Sequence, residues 1–132
     1  MNKRETVQAL MDSVQKGELD IAESMLADDF EFRGPVPDPI NKEAWLGMSS
    51  ILMTAFPDLD YHFRVIGTEG DIVKSTSQLS GTHTGSLDLT NMKMGVFPAT
   101  NKTFVTTREK TNITVKQNKM TICAVEPTQG AG

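Results

Sequence analysis

Apolar residues recur with a helical period along the first half of the chain and with a period of two along the second, and the change falls near residue 58. Val7, Leu10, Met11 and Val14 lie at i, i+3, i+4 and i+7, so residues 2–15 predict an amphipathic helix that Gly17 ends. Ala22, Met25 and Leu26 share a stripe and predict a second, short helix from Glu18 to Ala27. Phe30-Glu31-Phe32 alternates as a strand does, with both rings on one face. Pro35, Pro37 and Pro39 then exclude helix and central strand, leaving a stiff loop. A third helix over residues 42–56 has the clearest start signal. Asn41 is an N-cap, Glu43 lies where the helix dipole favours negative charge, and Ile40 and Trp45 form a hydrophobic staple. Pro57 forces the exit, because the residue before a proline avoids helical angles.

Beyond Asp58, Leu59, Tyr61, Phe63 and Val65 alternate with Asp60, His62, Arg64 and Ile66. Gly67 to Asp71 turns this strand into a second, Ile72 to His83, whose Val73, Ser75, Ser77, Leu79, Gly81 and His83 share a face if no bulge intervenes. A third strand is expected over Thr103–Val115, and a Lys-Gln-Asn-Lys turn leads to a last one from Met120 to Val125 or Glu126. Residues 84–102 are irregular, and a connection this long inside a compact domain is usually disordered or functional. Its Leu87, Leu89, Met92, Met94, Val96 and Phe97 suit a pocket mouth or a subunit contact. Helices first and antiparallel strands afterwards predict an α+β fold, with residues 1–132 as a single domain and the helices on one face of a curved sheet.

Composition narrows the chemistry. Thirteen Lys+Arg against seventeen Asp+Glu leave a net charge of -4, so no global field attracts nucleic acid or anionic lipid. One Cys, one Trp, one Tyr and two His exclude a disulfide framework, a Cys-rich zinc site and a multi-His centre, and neither metal nor cofactor is expected. There is no run of apolar residues long enough for a membrane span or a signal peptide. A cytoplasmic protein with no membrane partner is expected, and the lone Cys123 agrees with a reducing compartment. Phosphate-binding, nucleophile-elbow and zincin motifs are absent. Catalysis would rest on carboxylates, His62, His83, Tyr61 or hydroxyls.

Four stretches, in order, carry a resemblance. They are Ala55-Phe56-Pro57-Asp58-Leu59, Gly70-Asp71, Gly81-Thr82-His83-Thr84-Gly85 and Pro98-Ala99-Thr100-Asn101-Lys102. Together they resemble the SnoaL-like polyketide cyclase group of the nuclear-transport-factor-2-like superfamily. That resemblance implies three N-terminal helices closing a strongly curved, mainly antiparallel sheet into a cone with an internal pocket, and a homodimer. The resemblance also implies a superfamily that includes cyclases, isomerases, epoxide hydrolases, dehydratases and binding proteins without activity, so fold alone does not decide activity.

Two residues stand out as catalytic candidates. The resemblance places His83 in the pocket, and imidazole moves protons near neutral pH. Met120, Ile122, Ala124 and Glu126 form an apolar row ending in a carboxylate, an arrangement suited to an acid or base. Pro127 equally fits a solvated strand end there, and the family's acidic position falls nearer Thr128. Phe30, Phe32, Trp45, Tyr61, Leu79 and Phe97 are the expected ligand-binding walls, Tyr61 being the only phenol available as an oxyanion donor. His62 is expected on the opposite face, and Asp28 and Asp29 in a helix-to-strand turn. Thr76 and Thr114 stand where many relatives carry Arg. The expected activity is cofactor-independent proton transfer on a hydrophobic, carbonyl-bearing substrate, by a cyclase, isomerase or related enzyme. The alternatives are a non-catalytic binder of an apolar ligand and a dimeric interaction module with a vestigial pocket.

Overall fold

The computed structural model describes residues 2–34, 38–90 and 93–126. Three helices, α1 (Lys3–Gln15), α2 (Leu19–Ser24) and α3 (Lys42–Ala55), precede most of the strands. Among the described residues the main sheet has six strands in the order β2-β1-β10-β9-β4-β3. These are β1 (Leu26–Arg33), β2 (Ile40–Asn41), β3 (Arg64–Glu69), β4 (Ile72–Ser77), β9 (Glu109–Lys116) and β10 (Lys119–Val125). Among the described residues only the β1–β10 pair of this sheet is parallel. Two small ladders lie outside this sheet, β5 (Ser80–Thr82) with β8 (Thr103–Val105) and β6 (Leu87–Asp88) with β7 (Val96–Phe97). No helix among the described residues is long and apolar enough to cross a membrane.

Local chemistry explains the element ends. Asn2 and Glu5 close a capping box at the start of α1, with N···O distances of 2.8 and 3.0 Å. Asn41 caps α3 by accepting from the Ala44 amide at 2.8 Å. The β3–β4 hairpin turns at Gly70-Asp71, where Gly70 has φ +60°. The β9–β10 hairpin turns at Gln117-Asn118, with φ 54° and 61°, the mirror-image turn whose twist matches the flanking strands.

The apolar stripe of α1 packs on the sheet. Val7, Leu10 and Val14 are fully buried in one core with Leu26, Phe30, Val73, Ile113, Val115 and Met120. Each such side chain contributes about 1.5–3 kcal/mol relative to exposure.

Several expected boundaries shift. The second helix stops at Ser24 because β1 starts at Leu26, so Asp28 and Asp29 are exposed strand residues instead of a turn. The strand expected over Ile72–His83 breaks after Ser77, and the one expected over Thr103–Val115 breaks between Val105 and Glu109. Both breaks have one cause. The second halves leave the main sheet to form the β5–β8 ladder, anchored by Leu79 N–H to Thr106 Oγ1 at 2.9 Å.

Candidate functional site

Strand alternation decides which side chains face the helices. On β9, Glu109, Thr111, Ile113 and Val115 share the inward face. Across one ladder their partners are Ser77 for Glu109, Ser75 for Thr111 and Val73 for Ile113. Across the other, Thr111 pairs with Val125, Ile113 with Cys123 and Val115 with Met120. From these rows Ser77, Glu109, Thr111, Ile113, Cys123 and Val125 form the sheet side of a cavity of about 210 Å3. Helix α1 contributes Met11, and α3 contributes Trp45, Met48, Ser49 and Leu52. Phe32, Tyr61, Phe63 and Leu79 complete the wall.

The wall is apolar apart from a few groups. Glu109 is the only carboxylate lining it among the described residues, half-buried, with Ser77 and Thr111 as further polar lining residues. Cys123 is buried as well, and desolvation pushes its thiol up to about 12, so it is protonated at neutral pH. The Tyr61 hydroxyl is buried and makes no hydrogen bond among the described residues. Burial pushes its pKa above the ordinary value and the neighbouring Ser49 hydroxyl acts in the opposite direction, so Tyr61 is a neutral donor. The Ser49 proton is committed to the Trp45 carbonyl at 3.1 Å. No group of three His, Cys, Asp or Glu side chains among the described residues is placed to hold a metal ion.

Of the residues singled out in the sequence, Phe32, Trp45, Tyr61 and Leu79 meet in this cavity. Phe30 is packed behind it, 2% exposed, with its ring 5.4 Å from that of Trp45. Phe97 lies on β7 and is 43% exposed. Glu126 is exposed beyond the end of β10, with its amide bonded to the Lys110 carbonyl at 2.8 Å. A bulge explains that placement. Met120 pairs with Val115 but Ile122 pairs with Thr114, so Thr121 is an extra residue that turns Ile122 and Ala124 outward and Cys123 and Val125 inward. Thr128 lies outside the described residues.

His83 is buried but is not among the residues lining the cavity. Its ring lies 5.1 Å from that of Phe56, its Nδ1 is 3.2 Å from Thr100 Oγ1, and its Nε2 has no partner among the described residues. Its backbone donates to the Lys102 carbonyl at 2.9 Å and accepts from the Asn101 amide at 2.8 Å.

The profile of one family, described as SnoaL-like polyketide cyclase, matches residues 4–120. The chain belongs to that family. No curated protein sequence matches it. Among solved structures, a presumed SnoaL-like polyketide cyclase from Jannaschia sp. CCS1 is similar over 94% of this chain and 83% of its own, with 20% identity and a TM-score of 0.74. IdmH from Streptomyces antibioticus, a presumed polyketide cyclase, is similar over 96% and 91%, with 21% identity and a TM-score of 0.75. AclR from Streptomyces galilaeus, a presumed hydroxylase, covers 94% and 77% at 17% identity and a TM-score of 0.73. At these identities the likeness establishes the SnoaL-like fold.

The four SnoaL-like sequence stretches act mainly as fastenings. Asp58 accepts from the Thr82 amide at 2.7 Å and from its hydroxyl at 2.8 Å, tying the end of α3 to β5. Phe56 packs against His83 and Phe104, and Gly85 donates to the Ala55 carbonyl at 3.0 Å. The Thr82 bonds hold the Asp58 carboxyl below its ordinary value of 3.8. A folded-state value below the unfolded one contributes stability that is present above pH 3.8 and lost as pH falls through the folded value. Chemical denaturation across pH 2–5 checks this, as Asp58→Asn should flatten the acid limb of the stability curve. An unchanged limb would mean that the Thr82 bonds carry no net stability.

Proposed function

We propose that this SnoaL-like protein is a cofactor-independent enzyme that moves a proton at a carbon next to a carbonyl, with Glu109 as the base and then the acid. The observation that carries this reading is a single carboxylate, among the described residues, set in a largely apolar cavity of about 210 Å3. That volume is below the roughly 300–1,000 Å3 of pockets for drug-sized ligands, so the enclosed part of the substrate is about one or two fused rings. Phe32, Trp45, Tyr61, Phe63 and Leu79 supply apolar contact. Such walls exclude water, which strengthens each remaining polar interaction. In the step, the Glu109 carboxylate takes the α-proton, the carbon–hydrogen bonding pair moves into an enolate, and Glu109 returns the proton to the product.

The test uses 1-indanone, a bicyclic ketone with exchangeable α-hydrogens, in deuterated buffer. The wild type should accelerate α-deuterium incorporation above the buffer rate, and Glu109→Gln should lose about a hundredfold of that acceleration. The Trp45 indole N–H is a direct reporter of occupancy, since Trp45 is the only Trp and lines the cavity. A wild type that binds the ketone by this signal yet exchanges no faster than Glu109→Gln would be a binding protein instead.

A further inference from the structure

The Tyr61 hydroxyl is buried and makes no hydrogen bond among the described residues, with the Ser49 hydroxyl as its polar neighbour, although the backbone on which it stands is tied down on both sides. Gln15, from α1, spans more than forty residues to clamp it. The Gln15 side chain donates to the Leu59 carbonyl at 2.6 Å and accepts from the Tyr61 amide at 2.9 Å. On the other side, the Tyr61 carbonyl accepts from the Gln78 amide at 3.0 Å. Asp60 forms an isolated bridge with Ser80, with N···O distances of 2.9 and 3.0 Å. The next residue, His62, is kept at φ 43°, a left-handed conformation uncommon outside glycine. The Asp60 carboxylate accepts from its amide at 2.8 Å, and the His62 ring is 2.8 Å from the Ser80 hydroxyl.

A backbone so restrained fixes the ring, and an unpaired buried hydroxyl destabilises the empty fold. Such expenditure of stability at a cavity wall is the pattern of a preorganised binding group. We infer that the Tyr61 hydroxyl donates a hydrogen bond to the carbonyl oxygen of the substrate, and that Gln15 and His62 are positioning residues for it. The inference rests on the cavity reading above and narrows it: the ligand must bring an acceptor oxygen to Tyr61 while its α-carbon meets Glu109. As Glu109 removes the α-proton, negative charge moves onto the oxygen facing Tyr61. A fixed donor in a dry site is more effective against that charge than against the neutral ketone. Tyr61 keeps its proton throughout.

The experiment compares 1-indanone with indane, which has the same ring frame without the oxygen, in titrations read at the Trp45 indole N–H. Tyr61→Phe removes one oxygen atom and leaves the ring. It should weaken 1-indanone about fivefold, leave indane unchanged or tighter, and melt at or above the wild-type temperature. The carbonyl stretch of bound 1-indanone should lie lower in the wild type than in Tyr61→Phe. Gln15→Leu, which loosens the clamp but retains the phenol, should weaken the ketone selectively by a smaller factor. If both ligands bind and Tyr61→Phe treats them alike, with no change in the carbonyl stretch, Tyr61 is not the donor. If neither ligand moves the Trp45 signal, the cavity reading itself fails.

Discussion

Gly85→Ala should unfold this protein well below the wild-type melting temperature. A Cβ at Gly85 would land on the carbonyl oxygen of Thr54, with the Thr54 carbonyl carbon only 3.1 Å away. Both obstacles are backbone at the last turn of α3, so no side-chain rotation relieves the clash. The Gly85 amide also donates to the Ala55 carbonyl at 3.0 Å, so moving either segment breaks a bond that satisfies a helix end. Overpacking of this kind costs about 3 kcal/mol or more. At 132 residues that corresponds to a fall of about 10 °C in Tm. Gly47 is the internal control. It lies on the exposed side of α3 with nothing within 4 Å of an added Cβ, so Gly47→Ala should stabilise by about 1 kcal/mol through helix propensity alone. Thermal melts of the two variants check both signs. Equal effects would mean that Gly85 is not in contact with α3.

The ease of reading differed between the two halves of the chain for a physical reason. Helix ends announce themselves locally, and Asn2, Gly17, Asn41 and Pro57 each stand within two residues of an observed helix boundary. The two hairpin turns are equally local, since Gly70-Asp71 and Gln117-Asn118 carry their own backbone preferences. Strand continuity is not local. Whether Leu79 continues β4 or starts another ladder depends on Thr106, twenty-seven positions away, and no pattern within the Ile72–His83 segment marks the break.

The same distinction separates the expected residues that line the cavity from those that do not. Phe32, Trp45, Tyr61 and Leu79 were legible because apolar alternation and a staple position survive folding unchanged. Glu126 lost its place because one extra residue at Thr121 reverses the faces of everything after it. Glu109 carried a usable signal, since it ends the alternating row Val115, Ile113, Thr111 on an uninterrupted strand. A row of that kind on a strand without a bulge deserves the same weight as the one that drew attention to Glu126. Gln15 carried none, as a polar residue at a helix end reads as solvated until the segment it clamps is known.

Phe30 and Phe32 give the second large effect, because two residues apart on one strand they belong to different parts of the molecule. Phe30 is fully buried among Leu10, Leu26 and Met120, whereas half-buried Phe32 borders the cavity. Truncating Phe30 leaves a hole in close-packed core and removes the ring that meets Trp45, so Phe30→Ala should cost about 3–5 kcal/mol. That is a large share of the roughly 5–15 kcal/mol by which domains are stable, and the variant should be partly unfolded near body temperature. Phe32→Ala extends a space that already exists, so its loss should stay under about 2 kcal/mol. Its consequence belongs to binding. A wider cavity admits the bicyclic ketone with fewer contacts, which should reduce affinity, whereas Phe30→Leu should keep both affinity and most of the stability. Urea denaturation followed by Trp45 emission, with 1-indanone titrations on the folded variants, separates the two roles. If Phe32→Ala proved the more destabilising and Phe30→Ala the more harmful to binding, the wall of the cavity would lie two residues along β1 from where Trp45 and Tyr61 now place it.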